Sequence, residues 1–209
     1  MRSAAGRILA VVIRAVVVDL DGVLRTWERR PFAVLEARYG LPNGTMAAVA
    51  FDDGRLLPAI TGAVSDEEWR AGIRAELVGR YGPGGAAAVE AWSRDPGELV
   101  PEVVELVSRQ RPGRVVAVLT NATSRLGDHL DRLGLRTSVD VVFSSAELGV
   151  AKPDPAAFVL VGQALGVGLH ECALIDDTAA NTDAATALGM RTHLYRTPAA
   201  LSTFFDELP

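Results

Sequence analysis

Five short runs of apolar and β-branched residues recur along the chain: Ala15–Val18, Val115–Leu119, Val139–Phe143, Ala173–Ile175 and Arg191–Tyr195. Each reads as near-continuously apolar instead of alternating. Alternation marks a strand with one wet face, whereas a continuous run marks a strand buried on both. A sheet buried on both faces needs helices above and below it, and the segments between the later runs supply them. Pro101 suits the first position of a helix through Val104, Leu106 and Val107. Ser124 to Leu133 is a helix stopped by Gly134. Asp154-Pro155 forms an N-cap and first turn for a helix ending near Gly166, and Thr178 to Leu188 is closed by Gly189. Glycine just past a helix end supplies the left-handed stop residue. Strand–helix alternation at this spacing means βαβ units and a parallel sheet.

The stretch from Arg25 to Gly97 breaks the rhythm. It carries helical patterns and no convincing strand: Pro31 to Tyr39, then a capping box at Ser65 and Glu68 that starts a helix through Trp69, Ile73 and Leu77, then Ala86 to Trp92. Asp95-Pro96-Gly97 returns the chain to the sheet. At 209 residues the chain suits one core with an insertion. The expected fold is therefore α/β, a Rossmann-like parallel sheet flanked by helices, built from residues 1–24 and 98–209. A small helical cap, residues 25–97, is inserted after the first strand.

Charge and cysteine usage narrow the function classes. The net charge is -5 and no dense Lys/Arg run occurs, so no nucleic-acid-binding surface is expected. The single cysteine, Cys172, permits no internal disulfide, and no Cys/His cluster has zinc spacing. In its apolar run it reads as a small buried hydrophobe. Arg2 and Arg7 precede an apolar stretch, Ile8 to Ile13, that Arg14 ends after six residues. That is shorter than a secretion-signal core of roughly 7–15 residues. No run approaches the ~20 apolar residues that span a bilayer. The expectation is a cytoplasmic protein with no membrane partner, its first dozen residues an extension of the first strand or a tail.

The strand ends carry the chemistry. Asp19 and Asp21 follow the first strand, with Gly22 after them. Ligands in open parallel sheets bind beyond the carboxyl ends of the strands. Alternate side chains of an extended segment point the same way, so the two acids can converge. Two like charges brought together call for a cation nearby. The second run ends at Leu119-Thr120-Asn121, the fourth at Ile175-Asp176-Asp177, and a loop between them adds Lys152. Carboxylates for Mg²⁺, a hydroxyl and an ammonium for phosphate oxygens, and a carboxylate nucleophile together suit phosphoryl transfer.

These motifs, in this order, resemble the haloacid dehalogenase (HAD) superfamily. Asp19-Leu20-Asp21-Gly22 resembles its first motif and Thr120 in Leu-Thr-Asn its second. Lys152 in Ala-Lys-Pro-Asp resembles the third, and Asp176-Asp177 with Asn181 the fourth. The insertion occupies the place of the family's type-1 helical cap. The nearest resemblance is to small-cap phosphatases akin to the amino-terminal domain of epoxide hydrolases and to sugar-phosphate phosphatases. It implies Asp19 as nucleophile and Asp21 as acid and then base. It also implies Mg²⁺ held by Asp19, the Asp21 carbonyl and Asp177, with Asp176 a ligand or a support. Thr120, Asn121 and Lys152 would hold the phosphoryl group, and Asn181 would orient its neighbours. The substrate implied is a small phosphorylated metabolite. A phosphomutase would use the same acids. A dehalogenase is disfavoured because members with that chemistry lack the second aspartate of the first motif. A non-catalytic module that binds a phosphorylated ligand is the alternative from another class.

Plainer readings exist for several residues. Asp176 and Asp177 can cap the helix that follows them. Trp27, Trp69 and Trp92 are expected to pack the cap onto the core, with a pocket-lining role the alternative. Phe51 to Arg55 is a polar stretch able to face a substrate, and Arg25 is a candidate contact for a substrate anion. His129, His170 and His193 are read as structural or surface residues. Monomer and homodimer both remain open.

Overall fold

The computed structural model describes residues 12–27 and 32–209. Residues 1–11, and Pro31 at the expected start of the first cap helix, lie outside the described residues. The chain runs through β1 (Ala15–Val18) and a two-residue β2 (Arg25–Thr26). The insertion follows as α1 (Phe32–Tyr39), α2 (Thr45–Ala50), α3 (Asp53–Ile60), α4 (Asp66–Tyr81) and α5 (Pro83–Ser93). It returns through β3 (Glu98–Leu99), α6 (Pro101–Ser108), β4 (Val115–Thr120), α7 (Leu126–Leu133), β5 (Val141–Ser144) and α8 (Ser145–Leu148). The last part is α9 (Pro155–Leu165), β6 (Cys172–Asp176), α10 (Ala179–Ala187), β7 (Arg191–Leu194) and α11 (Pro198–Asp206).

The main sheet is parallel, in the order β5-β4-β1-β6-β7. The chain steps outward from β1 to β5, then returns to the far side of β1. That reversal opens a crevice at the carboxyl end of β1. Residues of β1 alternate between two apolar layers. Val16 and Val18 join Val116, Val118, Ala173 and Ile175, covered by α6, α7 and α11. Ala15 and Val17 join Ala117, Leu119, Cys172 and Leu174, covered by Phe158 and Val161 of α9 and Ala185 of α10. Burial on both faces is why β1 reads as an unbroken apolar run. Cys172 is the expected buried hydrophobe, and burial pushes its thiol up to about 11.

The edges depart from that expectation. In β5, Val141 to Phe143 are only half-buried, and β7 is exposed at Arg191 and Leu194. An edge strand has one neighbour and less helix over it. β5 also begins at Val141, not Val139. The Asp140 carboxylate accepts from Val116 N at 2.9 Å and pairs with Arg111, so a side chain takes the first rung of the ladder. The helix expected from Ser124 starts at Leu126. Ser124 is occupied elsewhere, its hydroxyl accepting from Asp66 N at 2.9 Å.

The helix caps follow the residues. Asp154 accepts from Ala156 N at 2.8 Å, and Gly166 ends α9 in the left-handed region at φ 65°. Ser65 and Glu68 form the reciprocal capping box of α4. The insertion has its own apolar centre, with Leu35, Met46, Trp69, Ile73 and Leu77 in it. Contrary to the reading of no strand there, Arg25–Thr26 pairs antiparallel with Glu98–Leu99. The two passages between cap and core thus lie side by side. Among the described residues no helix is long and apolar enough to cross a membrane.

Candidate active site

β1, β4 and β6 are neighbours, so their carboxyl ends place Asp19, Thr120 and Asp176 together. Asp19 is buried; its backbone N donates to Ile175 O at 2.8 Å, and its Oδ1 accepts from Leu20 N at 2.7 Å. Lys152 Nζ, also buried, lies 3.0 Å from Asp19 Oδ1 and 2.5 Å from Asp176 Oδ2. Asp176 is fully buried and accepts further bonds from Asn181 Nδ2 and Thr178 N at 2.9 Å each. It therefore ties the turn before α10 to the lysine. Asn121 acts on the same lysine from the other side. Its Nδ2 donates to Lys152 O and its Oδ1 accepts from Lys152 N, both at 2.8 Å.

Asp177 approaches from the β6–α10 turn. A Cβ on Gly22 would lie 2.0 Å from Asp177 Oδ2, and Gly22 has φ +84°. Only glycine tolerates both the conformation and the approach. One oxygen each of Asp19, Asp176 and Asp177 lies within 4.8 Å of the others, a group able to hold a hard divalent cation. Thr120 Oγ1 is buried with no partner among the described residues. Burial raises Asp19 to about 7, against the lowering pull of Lys152 and with Asp176 and Asp21 adding to the rise. One ammonium among these carboxylates leaves the site short of positive charge.

The Asp21 carboxylate lines the same cavity as Asp19 and Asp177 but is engaged by Arg25. Arg25 grips it twice, Nε to Oδ1 at 2.6 Å and Nη2 to Oδ2 at 2.9 Å. Arg25 is buried, donates to Pro96 O at 3.3 Å and to His129 Nδ1 at 3.1 Å, and lies 4.3 Å over the Trp27 ring. Four of its five N–H donors are thus engaged within the protein. A guanidinium can only donate, so His129 Nδ1 accepts and neutral His129 carries its proton on Nε2. Burial, then Arg25, Arg125 and Arg70, lowers His129 to about 4. His129, expected to be structural or on the surface, is buried against Arg25 and also lines the cavity between cap and core. Its place beside Leu126 and Leu130 on the buried face of α7 was the available signal.

Two cavities meet here. One, about 470 Å³, is lined by Asp19, Thr120, Lys152, Asp177 and Asn181. The other, about 430 Å³, lies between cap and core and shares Asp21, Trp27 and Asn121 with the first. Its walls include Phe32, Phe51, Trp69 and Trp92. Packing alone is therefore too narrow a reading of the tryptophans. Trp69 and Trp92 meet edge to face at 5.4 Å and Trp92 meets Phe32 at 5.2 Å, while all three tryptophans line the cavity. Of the stretch Phe51 to Arg55, only Phe51 does; Arg55 pairs with Glu76. The cap is docked by Asp66, which accepts from Thr123 Oγ1 and Arg70 Nε at 2.7 Å each.

The haloacid dehalogenase-like hydrolase family profile matches residues 13–189. A protein named phosphatase MT3486 from Mycobacterium tuberculosis is 32% identical over 198 residues, 87% of each chain. Fructose-1-phosphate phosphatase YqaB of Escherichia coli is 28% identical, over 83% of this chain and 92% of its own. A HAD family enzyme from Bacteroides thetaiotaomicron, solved with magnesium and inorganic phosphate, superposes with a TM-score of 0.69. It is 22% identical, over 88% of this chain and 94% of its own, a likeness of fold. The profile match across most of the chain, together with a relative of that identity along nearly its whole length, makes this protein a member of the haloacid dehalogenase-like hydrolase family.

Proposed function

We propose that the protein is a magnesium-dependent phosphohydrolase that cleaves a small phosphorylated metabolite through an aspartyl-phosphate on Asp19. The observation that carries this reading is the meeting of Asp19, Lys152, Asp177 and the unpartnered Thr120 hydroxyl at one sheet edge. The donor set is oxygen only and short of positive charge, which fits a hard cation. Asp19, Asp177 and the Asp21 carbonyl would hold it. Asp176 supports Lys152, since Lys152, Asn181 and Thr178 occupy its oxygens. Magnesium bound there supplies charge neutralisation for the carboxylates and the phosphoryl oxygens.

Asp19 attacks phosphorus, and the bond from phosphorus to the leaving oxygen breaks. Thr120 and Lys152 donate to the phosphoryl oxygens as negative charge grows there. Asp21 turns from Arg25 to protonate the leaving oxygen, then takes a proton from the water that attacks the acyl-phosphate and frees Asp19. The phosphatase names of the two relatives support an ester of phosphate as substrate. A cytoplasmic enzyme, monomeric or homodimeric, belongs to the same reading.

The test is phosphate release from p-nitrophenyl phosphate with and without Mg²⁺, in the native protein and in Asp19→Asn. Release that requires Mg²⁺ and drops by about 10³-fold or more in the variant is expected. Metal-independent release, or equal activity in Asp19→Asn, would sink the mechanism.

A further inference from the structure

We infer that the chamber between cap and core selects an aromatic leaving group: the preferred substrate is a phosphate monoester of a flat ring system, not a sugar phosphate. This rests on the phosphohydrolase reading and names the substrate class for the same site.

The walls are built for a ring. Trp27, Phe32, Phe51, Trp69, Trp92 and Leu126 surround a space of about 430 Å³, within the range of small-molecule sites. Aromatic pairs gain from offset and edge-to-face contacts beyond simple burial, and Trp69, Trp92 and Phe32 already stand edge to face. The chamber joins the phosphate end of the site through Asp21, Trp27 and Asn121. An ester whose phosphorus sits by Asp19 would therefore place its leaving group among these rings.

The polar groups of the wall are nearly all engaged inside the protein. Arg25 holds Asp21. Arg70 holds Asp66 and lies 4.1 Å over the Trp92 ring. The Thr123 hydroxyl donates to Asp66, the Asn121 amide is taken by the Lys152 backbone, and Asp95 accepts from Gly97 N at 3.0 Å. A sugar, with a hydroxyl on nearly every carbon, would lose water and recover few partners. The indole nitrogens of Trp27 and Trp69 and His129 Nε2 are shut off from the cavity, so they offer a ligand's hydroxyls nothing.

Calorimetric binding to the full-length Asp19→Asn protein in Mg²⁺ tests this without turnover. The probes are 2-naphthyl phosphate, fructose 1-phosphate and inorganic phosphate. The naphthyl ester is expected to bind about tenfold or more tightly than the sugar ester. Adding Phe51→Ser or Trp92→Leu is expected to weaken the naphthyl ester several-fold and leave inorganic phosphate unchanged. Phe51 is half exposed, so its variant stays informative if Trp92→Leu fails to fold. Equal or tighter binding of the sugar ester, binding of neither ester, or unchanged naphthyl affinity in Phe51→Ser would overturn the inference. A failure of the phosphohydrolase reading shows separately, as a naphthyl preference in binding with no Mg²⁺-dependent phosphate release by the native protein.

Discussion

Arg25 and His129 form a chain of contacts leading away from Asp21, and the histidine end of it has a consequence for stability. His129 ordinarily titrates at 6.5, and in the fold it is lowered to about 4 by burial and by Arg25, Arg125 and Arg70 facing it, with Asp66 opposing them. Between those values the unfolded chain binds a proton that the native protein refuses, so stability rises with pH. The contribution is fully present above pH 6.5 and is lost as pH falls towards 4. Thermal melts from pH 7 down to pH 4.5 should show a steeper fall for the native protein than for His129→Asn, whose amide oxygen can still accept from Arg25. Equal slopes would show that His129 does not carry this effect. Both residues are buried, and both were hard to read beforehand for one reason. Arg25 follows Asp21 closely, but another of its partners is 104 positions away on α7. Local pattern cannot report such a contact.

At the scale of elements, α4 does two jobs at its first turn. Its capping box was legible because Ser65 and Glu68 satisfy each other within three residues. Its docking was not, because Asp66 meets Thr123 and Ser124 across separations of 57 and 58 residues. Removing the Asp66 carboxylate strands the Thr123 hydroxyl and leaves Arg70 without its nearest partner. Asp66→Ala should lower stability by about 1–3 kcal/mol. It should also raise KM and speed backbone hydrogen exchange at the start of α4, since the cap would leave the core more easily. Native exchange rates in the variant would show that the contact does not hold the cap. The paired strands β2 and β3 set where such a movement would hinge, and two-residue strands give no periodicity to read in advance.

At the scale of the molecule, three apolar clusters divide the work. Two cover the faces of the sheet, and the third lies wholly within α1 to α5. If the cap is a unit of its own, damage to its centre should stay local. Ile73 is fully buried there. Ile73→Ala should cost about 2–5 kcal/mol. Hydrogen–deuterium exchange should then rise across residues 32–93 while β1, β4 and β6 keep their protection. Equal loss in both parts would mean one cooperative unit. The sequence by itself determined the parallel centre of the sheet, because a strand buried on both faces must be apolar at every position. It also determined the order of reactive residues at the strand ends, because that order is covalent. Tertiary structure alone decided which strands became edges and which aromatic rings line the cavity beside Asp21. It also decided which arginine clasped Asp21. Those outcomes depend on distant surfaces meeting, and burial patterns read along the chain say that a face is covered without saying by what.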